Sequence, residues 1–131
     1  MTQTIVITSG KGGVGKTTIS VNTAIELSLR NCRTCLFDAD LGLANVDILL
    51  GIHPENSLDD YLFGDKTLDE IVLQTKFGID VIPGSSGIEK MANLDRETIS
   101  DLVASFSHIK GYDYFLIDTS SGISRGVMAF C

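Results

Sequence analysis

Apolar runs and residues of helical spacing alternate along this chain. Four short apolar runs predict β-strands, and the last of them, a continuous run, predicts a strand that is covered on both faces. They are residues 5–8, 34–37, 77–83 and 112–117. In residues 16–30 and 95–108, apolar side chains recur every three or four positions, which predicts two amphipathic helices.

Shorter helices are predicted between the second and third strands. Residues 43–50 suit one short helix, and two capping-box patterns each predict the start of another. The two patterns are Ser57-x-x-Asp60 and Thr67-x-x-Glu70. Strands that alternate with helical crossovers favour an α/β fold, a doubly wound and mainly parallel sheet.

The composition fits one globular unit. The chain has 131 residues with 44% hydrophobic content, enough to bury a core. Ten Lys and Arg stand against 17 Asp and Glu, and this net charge of -7 gives no direct nucleic-acid signal and no general attraction to anionic lipid. There is no signal peptide and no apolar run of membrane-spanning length, so we expect a cytoplasmic protein.

The cysteines and histidines do not form a convincing metal pattern. Cys32, Cys35 and Cys131 are too few for a disulfide framework, and the Cys32-x-x-Cys35 pair has no second pair beside it. We interpret Cys35 as a small buried thiol that leads into a strand. His53 and His108 lack metal-ligand spacing and are interpreted as surface residues.

The stretch between the first strand and the first long helix is typical of a phosphate-binding loop. Residues 10–17 read G-x-x-x-x-G-K-T, in which glycines let backbone N–H groups approach a polyphosphate and the helix start adds partial positive charge. We expect Lys16 to reach the β- and γ-phosphates and the Thr17 hydroxyl to ligate Mg²⁺. The predicted nucleotide-binding residues are Gly10, Lys11, Gly12, Gly13, Val14, Gly15, Lys16, Thr17 and Thr18.

Carboxylates follow two of the predicted strands. Asp38 and Asp40 come after the second strand and Asp118 after the last. Ligands of open parallel sheets bind at the carboxyl ends of the strands, so Asp118 is predicted to hold Mg²⁺ in a Walker B arrangement. Asp38 and Asp40 need not point the same way, and we favour Asp40 as the one that faces the γ-phosphate.

The segment Lys11-Gly-Gly-Val-Gly-Lys16-Thr17-Thr18 resembles the deviant Walker A motif of the MinD/ParA family of P-loop ATPases, a SIMIBI-type NTPase fold. The family carries an additional lysine at the position of Lys11. The resemblance implies that Lys11 crosses to the nucleotide of a partner subunit, so that two monomers enclose two ATP molecules. It also implies that Asp40 belongs to switch I and orients the attacking water, and that Asp38 lies near Mg²⁺. Lys11, Lys16 and Asp40 are therefore the expected catalytic residues, and Thr17, Asp38 and Asp118 the expected metal residues.

Three further stretches, residues 38–51, 82–94 and 117–124, are similar to the flagellar-number regulators of the FlhG (FleN) branch. Two features depart from that branch: an N-terminal extension is absent, and the chain stops at Cys131 inside the helix expected after switch II. The resemblance implies further strands, adenine contacts and, in some members, a membrane-binding helix beyond that point. We therefore expect residues 1–131 to be the N-terminal part of a single P-loop ATPase domain, truncated after the Walker B strand, whose four strands lie in the order 3-2-4-1.

The leading hypothesis is an ATP-driven switch. ATP would close a homodimer that recruits a protein partner, and hydrolysis to ADP would reopen it, with a role in flagellar number or placement. Membrane contact would be peripheral and would depend on the part of the domain beyond Cys131. The alternatives are an iron–sulfur carrier or nitrogenase-iron-protein relative, an ATP-dependent amidoligase of the cobyrinic acid a,c-diamide synthase type, and a nucleotide-binding fragment without catalytic output.

Overall fold

The computed structural model describes residues 2–7, 15–39, 46–84, 97, 101, 104–106, 109 and 111–119. Strands and helices alternate through these residues. The elements are β1 (Gln3–Ile7), α1 (Lys16–Leu29), β2 (Thr34–Ala39), α2 (Val46–Leu50), α3 (Leu58–Leu62), α4 (Leu68–Ile71), β3 (Leu73–Gln74), β4 (Asp80–Ile82) and β5 (Tyr114–Thr119). No helix within the described residues is long and apolar enough to cross a membrane.

The strands form one mainly parallel sheet in the order β1-β5-β2-β4-β3. β1 pairs with β5, β5 with β2, and β2 with β4, all in parallel. β3 pairs with β4 in the antiparallel direction. The predicted α/β class and the predicted order of the four main strands are confirmed, because β4, β2, β5 and β1 are the third, second, fourth and first predicted strands.

Helices cover both faces of the sheet, since successive strand residues point to opposite sides. Leu36 and Leu116 pair across β2 and β5 and pack in one core with Val21 and Ala24 of α1. One residue further along, Phe37 and its partner Ile117 face the opposite core. That second core contains side chains of α3 and α4, namely Leu58, Leu68 and Ile71.

The third predicted strand, 77–83, is wrong in its first half. Phe77 and Gly78 lie in a turn, and Gly78 has φ +84°, which glycine adopts without strain. The Thr75 backbone N–H and hydroxyl both donate to the Ile79 carbonyl, at 3.1 and 2.7 Å, and close the turn between β3 and β4. β3 has two residues, Leu73–Gln74, which is too short to produce a periodic pattern.

The second capping box is confirmed. The Glu70 N–H donates to Thr67 Oγ1 at 3.3 Å, and the Thr67 N–H donates to Glu70 Oε1 at 3.0 Å. The Thr67 backbone hydrogen bond stabilises the charged carboxylate and lowers the pKa of Glu70. At the first pattern, the Ser57 N–H donates to Asp60 Oδ2 at 2.8 Å, which is the backbone half of a box.

The amphipathic helix predicted over 95–108 is described in part. Residues 97, 101 and 104–106 are helical. Phe106 lies 4.9 Å from Phe37 and 4.6 Å from Phe115, measured between ring centroids. The helix therefore packs on the face of the sheet opposite α1, because Phe37 and Phe115 belong to that core.

Candidate functional site

The carboxyl ends of the central strands meet the start of α1. Asp118 is in β5 and its register partner in β2 is Asp38. Each lies two residues after a leucine of the core beneath α1, so both side chains point to the α1 face. Gly15, with φ +101°, directly precedes the first helical residue of α1, Lys16. Three charged groups thus share one edge of the sheet.

Lys16 and Asp118 form a buried ion pair. The Lys16 ammonium donates to Asp118 Oδ1, and the two side chains are 6% and 0% exposed. Sequence reasoning assigned Lys16 to phosphates and Asp118 to Mg²⁺, and did not predict that they would bind each other. The pairing follows from the fold, which brings together residues 102 positions apart.

The second oxygen of the Asp118 carboxylate lacks a hydrogen-bond partner within the part of the chain that the structure describes. Among the described residues, Asp118 Oδ2 is a buried oxygen that no hydrogen bond reaches. Asp38, 2% exposed, accepts a hydrogen bond through Oδ2 from the Val46 N–H at 3.1 Å. The buried group therefore contains two carboxylates and one ammonium. A buried carboxylate oxygen of Asp118 that lacks a partner among the described residues, beside a second carboxylate, fits a hard divalent cation such as Mg²⁺, which takes oxygen ligands.

The beginning of α1 is suited to an anion. The first N–H groups of any helix have no acceptor within the helix, and Gly15 has no side chain with which to cap them. The first turn also has no acidic residue. Thr17 is half-buried and Thr18 is exposed in this turn. An anion placed here would meet the first amides of α1, the positive end of the helix dipole and the neighbouring Lys16 ammonium.

Gly84 brings a third segment against the site, and sequence reasoning missed its role. It follows β4, and a Cβ on Gly84 would overlap the carbonyl oxygen of Asp38. The Leu58 N–H donates to the preceding carbonyl, that of Pro83, at 2.9 Å and ties this segment to α3. The sequence contains Pro83-Gly84 after an apolar run. This dipeptide indicates a turn, but it does not indicate that Gly84 lies against the Asp38 backbone.

Several predicted site residues lie outside the described part of the chain. They are Gly10, Lys11, Gly12, Gly13, Val14 and Asp40. Their assigned roles stay predictions. Of the predicted set, the structure brings together Gly15, Lys16, Thr17, Thr18, Asp38 and Asp118.

Cys32 and Cys35 lie at the other end of β2 from Asp38. Cys35 is fully buried and Cys32 half-buried, and both thiols are free. Burial raises the pKa of the Cys35 thiol, and the negative charge of Asp80 raises it further. Cys35 is therefore a protonated core thiol, as its position in the sequence indicated, and His53 is exposed, also as expected.

Comparison with known proteins agrees with this architecture. A family model described as an AAA domain matches residues 2–129. The chain is 42% identical over 129 residues to the antiactivator FleN of Pseudomonas aeruginosa, covering 98% of this chain and 46% of that protein. It is 38% identical over 130 residues to the flagellum site-determining protein YlxH of Helicobacter pylori, covering 98% and 44%.

A solved structure extends the comparison to the fold. The septum site-determining protein MinD from Pyrococcus horikoshii, complexed with Mg-ADP, superposes with a TM-score of 0.81 at 33% identity, covering 98% of this chain and 53% of that one. The fold and site define an α/β protein of the P-loop ATPase class. The chain belongs to the MinD/ParA family and is FleN-like within it. It spans about half the length of the curated relatives it matches.

Proposed function

We propose that this chain is the nucleotide-binding part of an ATP-hydrolysing switch. The observation that carries the proposal is the buried group of Lys16, Asp38 and Asp118 beside the uncapped start of α1, with one carboxylate oxygen lacking a partner among the described residues. Buried charges are costly unless they are paired or serve a ligand. A magnesium nucleotide would supply an anion for Lys16 and the start of α1, and a cation for the Asp38 and Asp118 carboxylates.

Each described residue has a distinct part in this proposal. The Lys16 ammonium and the first amides of α1 would bind the phosphates. The Thr17 hydroxyl, Asp118 and the neighbouring Asp38 would hold Mg²⁺, directly or through water. Mg²⁺, when bound, would neutralise charge on the phosphoryl group that is transferred. The Mg-ADP complex of MinD from Pyrococcus horikoshii supports this ligand choice.

The switch itself depends on Lys11 and Asp40, for which the family resemblance is the support. Lys11 would reach the nucleotide of a second copy, and Asp40 would orient the attacking water. Hydrolysis would be slow, because the useful output is the closed or open state and not the product. The printed name of YlxH, a flagellum site-determining protein, favours a role in flagellar number or placement over the iron–sulfur carrier and amidoligase alternatives. The name antiactivator, given to FleN, favours action through a protein partner.

The proposal is tested by calorimetric titration of Mg-ATP into the wild-type chain and Lys16→Ala. Loss of a buried counter-charge should weaken binding by about 30-fold or more. Arg30→Ala is the matched control, since it removes a cation from the end of α1 that forms a 3.1 Å pair with Glu26 on the surface. Equal Mg-ATP affinity of wild type and Lys16→Ala would remove the nucleotide-site assignment.

The dimerisation part is tested by sedimentation of the complete natural protein with a slowly hydrolysed ATP analogue. Lys11→Ala should bind one nucleotide per monomer yet stay monomeric, whereas Asp40→Ala should dimerise and lose turnover. Dimerisation of Lys11→Ala to the wild-type extent would contradict the cross-subunit role. A loss of nucleotide affinity in Asp40→Ala as large as that in Lys16→Ala would contradict the assignment of Asp40 to water.

A further inference from the structure

The Asp38 carboxylate ties the end of β2 to the start of α2. Its Oδ2 accepts the Val46 N–H at 3.1 Å, and the two residues are eight positions apart. Both are buried, with Asp38 2% and Val46 0% exposed. A hydrogen bond from a backbone N–H to a carboxylate is of the stronger kind, and burial strengthens it further. The contact therefore closes a short segment of chain between two buried residues.

The closed segment contains Asp40, the residue predicted to orient the attacking water. Before Asp40, Ala39 pairs with Thr119 in the sheet. After it, Val46 packs in the core beneath α1. Asp40 itself lies outside the described residues, but both anchors of its segment are described. The position of Asp40 therefore depends on how these two anchors are held relative to each other.

We propose that Asp38 is a positioning residue for Asp40, and that it acts by holding the start of α2 through the Val46 N–H. This inference rests on the proposed function, and it gives Asp38 a part in turnover that does not require a charge beside Mg²⁺. Asp40 remains the group that would touch the attacking water. Asp38 would fix the segment that carries Asp40.

A rate effect of this kind comes from precise placement. A displacement of about 1 Å in the geometry of a site lowers the rate of an enzyme by about 100-fold. Gly84 supports the same arrangement, because it lies so close to the Asp38 carbonyl oxygen that a Cβ would overlap that atom. The Asp38 backbone is thus held by β5 and by Gly84, and its side chain holds α2.

The two roles of Asp38 depend on different properties of its side chain. A residue that acts only on Mg²⁺ depends on its negative charge. A residue that holds the Val46 N–H depends on an acceptor oxygen, which asparagine also has. Asp38→Asn keeps this oxygen and removes the charge, whereas Asp38→Ala removes both. The pair of variants therefore separates the two roles.

The first test measures ATP turnover and Mg-ATP affinity of both variants in the complete natural protein. We expect Asp38→Ala to lower kcat about 100-fold and Asp38→Asn to lower it less than about 5-fold, because only the alanine variant loses the anchor. Mg-ATP affinity should change far less than kcat in Asp38→Ala. An equal loss of kcat in the two variants would overturn the positioning role.

The matched control is Asp113→Ala, which removes another carboxylate that accepts a backbone N–H, that of Arg33 at 2.8 Å. This contact lies at the opposite end of the parallel strands, so kcat should stay at the wild-type value. A loss of kcat in Asp113→Ala as large as that in Asp38→Ala would overturn the positioning role as well.

A second pair of variants removes the donor and leaves the Asp38 carboxylate in place. Val46 is the first residue of α2, a position that accommodates proline because the missing N–H has no acceptor within the helix. Val46→Pro removes the hydrogen bond, whereas Val46→Ala keeps the N–H and loses side-chain packing. We expect a loss of kcat in Val46→Pro similar to that in Asp38→Ala, and a kcat close to wild type in Val46→Ala. Equal kcat values for the two Val46 variants would overturn the proposal.

The hydrogen bond itself is tested without nucleotide, by amide exchange at Val46. Exchange should be about 10-fold faster in Asp38→Ala than in wild type, and close to wild type in Asp38→Asn. Equal exchange in Asp38→Ala and wild type would overturn the proposal. If wild type neither binds nor hydrolyses Mg-ATP, the proposed function fails and the positioning role fails with it. If wild type hydrolyses Mg-ATP and Asp38→Asn is as slow as Asp38→Ala, the positioning role alone fails.

Discussion

The polar groups at the two ends of the parallel strands differ in burial and in how they are hydrogen-bonded. At the amino-terminal edge, where the parallel strands begin, the Tyr112 hydroxyl donates to Asp80 Oδ2 at 2.5 Å and the Thr2 hydroxyl donates to the Tyr112 carbonyl at 2.6 Å. At the carboxyl-terminal edge, Asp118 is more deeply buried than these groups, yet one of its oxygens has no partner among the described residues.

The difference suggests two roles for polar groups in this sheet. Those at the amino-terminal edge support the fold, and the Asp118 carboxylate is available to a ligand. Buried polar atoms in folded proteins are nearly always hydrogen-bonded, and a specific exception asks for an explanation. The amino-terminal cluster is completed by groups of the chain itself. In the proposed function a cation and an anion would complete the carboxyl-terminal group, at the position where ligands of open parallel sheets generally bind.

Among the variants that compare the two ends of the strands, Gly84→Ala at the carboxyl-terminal edge has the largest expected effect. Gly84→Ala places a Cβ against the Asp38 carbonyl oxygen, so Asp38 or the β4 segment must move. We expect a loss of about 1–3 kcal/mol of unfolding free energy. We also expect Mg-ADP to bind about 10-fold more weakly, as is usual when the support of a metal site is disturbed. Urea unfolding and calorimetry measure the two effects.

Gly64→Ala is the matched control for this change. Its Cβ would also meet a backbone carbonyl, that of Asp60 at 2.7 Å, but between α3 and α4 and away from Lys16, Asp38 and Asp118. It should lower stability without changing Mg-ADP affinity. An equal loss of affinity in both variants would show that Gly84 acts through general destabilisation.

A smaller effect is expected at the amino-terminal edge. Tyr112→Phe removes the hydrogen bond to Asp80 and should cost about 1 kcal/mol of unfolding free energy while Mg-ADP affinity stays the same. If the variant weakened nucleotide binding, the two edges would not be independent.

Tyr112→Phe should also change how the free energy of unfolding depends on pH in alkaline solution. Burial, followed by the hydrogen bond to Asp80, raises the pKa of Tyr112 in the folded chain. The contribution of this raised pKa is fully present below the unfolded-state value of about 10, and it is lost as pH rises above that value. Wild type should therefore lose stability above pH 10 faster than Tyr112→Phe does. Equal slopes of stability against pH above about pH 10 for wild type and Tyr112→Phe would contradict this prediction.

Local patterns predicted much of the fold. The helix that begins at Lys16 and the capping box of Thr67 and Glu70 depend on residues close in sequence, and both were predicted from spacing. β3 was not predicted, because a strand of two residues is too short to show an alternating pattern of apolar and polar residues. Its position in the sheet is set by its pairing with β4.

The site was predictable only as a list of residues. The P-loop pattern and the strand-terminal carboxylates identified Lys16, Asp38 and Asp118. Their mutual arrangement depends on the register of β2 with β5 and on the packing of α1, which bring together residues far apart in the chain. The contact of Gly84 with Asp38 also depends on residues far apart in the chain. The sequence around Gly84 predicts a turn, but it does not indicate which strand the turn approaches.

Amide hydrogen exchange of the wild-type chain, with and without saturating Mg-ADP, tests most directly which edge binds the ligand. Amides at the strand ends exchange through local openings and so report on their own surroundings. The account expects slower exchange at Lys16, Thr17, Thr18 and Val46. It expects unchanged exchange at Arg33 and Asp113, whose N–H groups have partners within the amino-terminal edge. Unchanged exchange at Lys16 through Thr18, or equal slowing at both edges, would contradict the central claim.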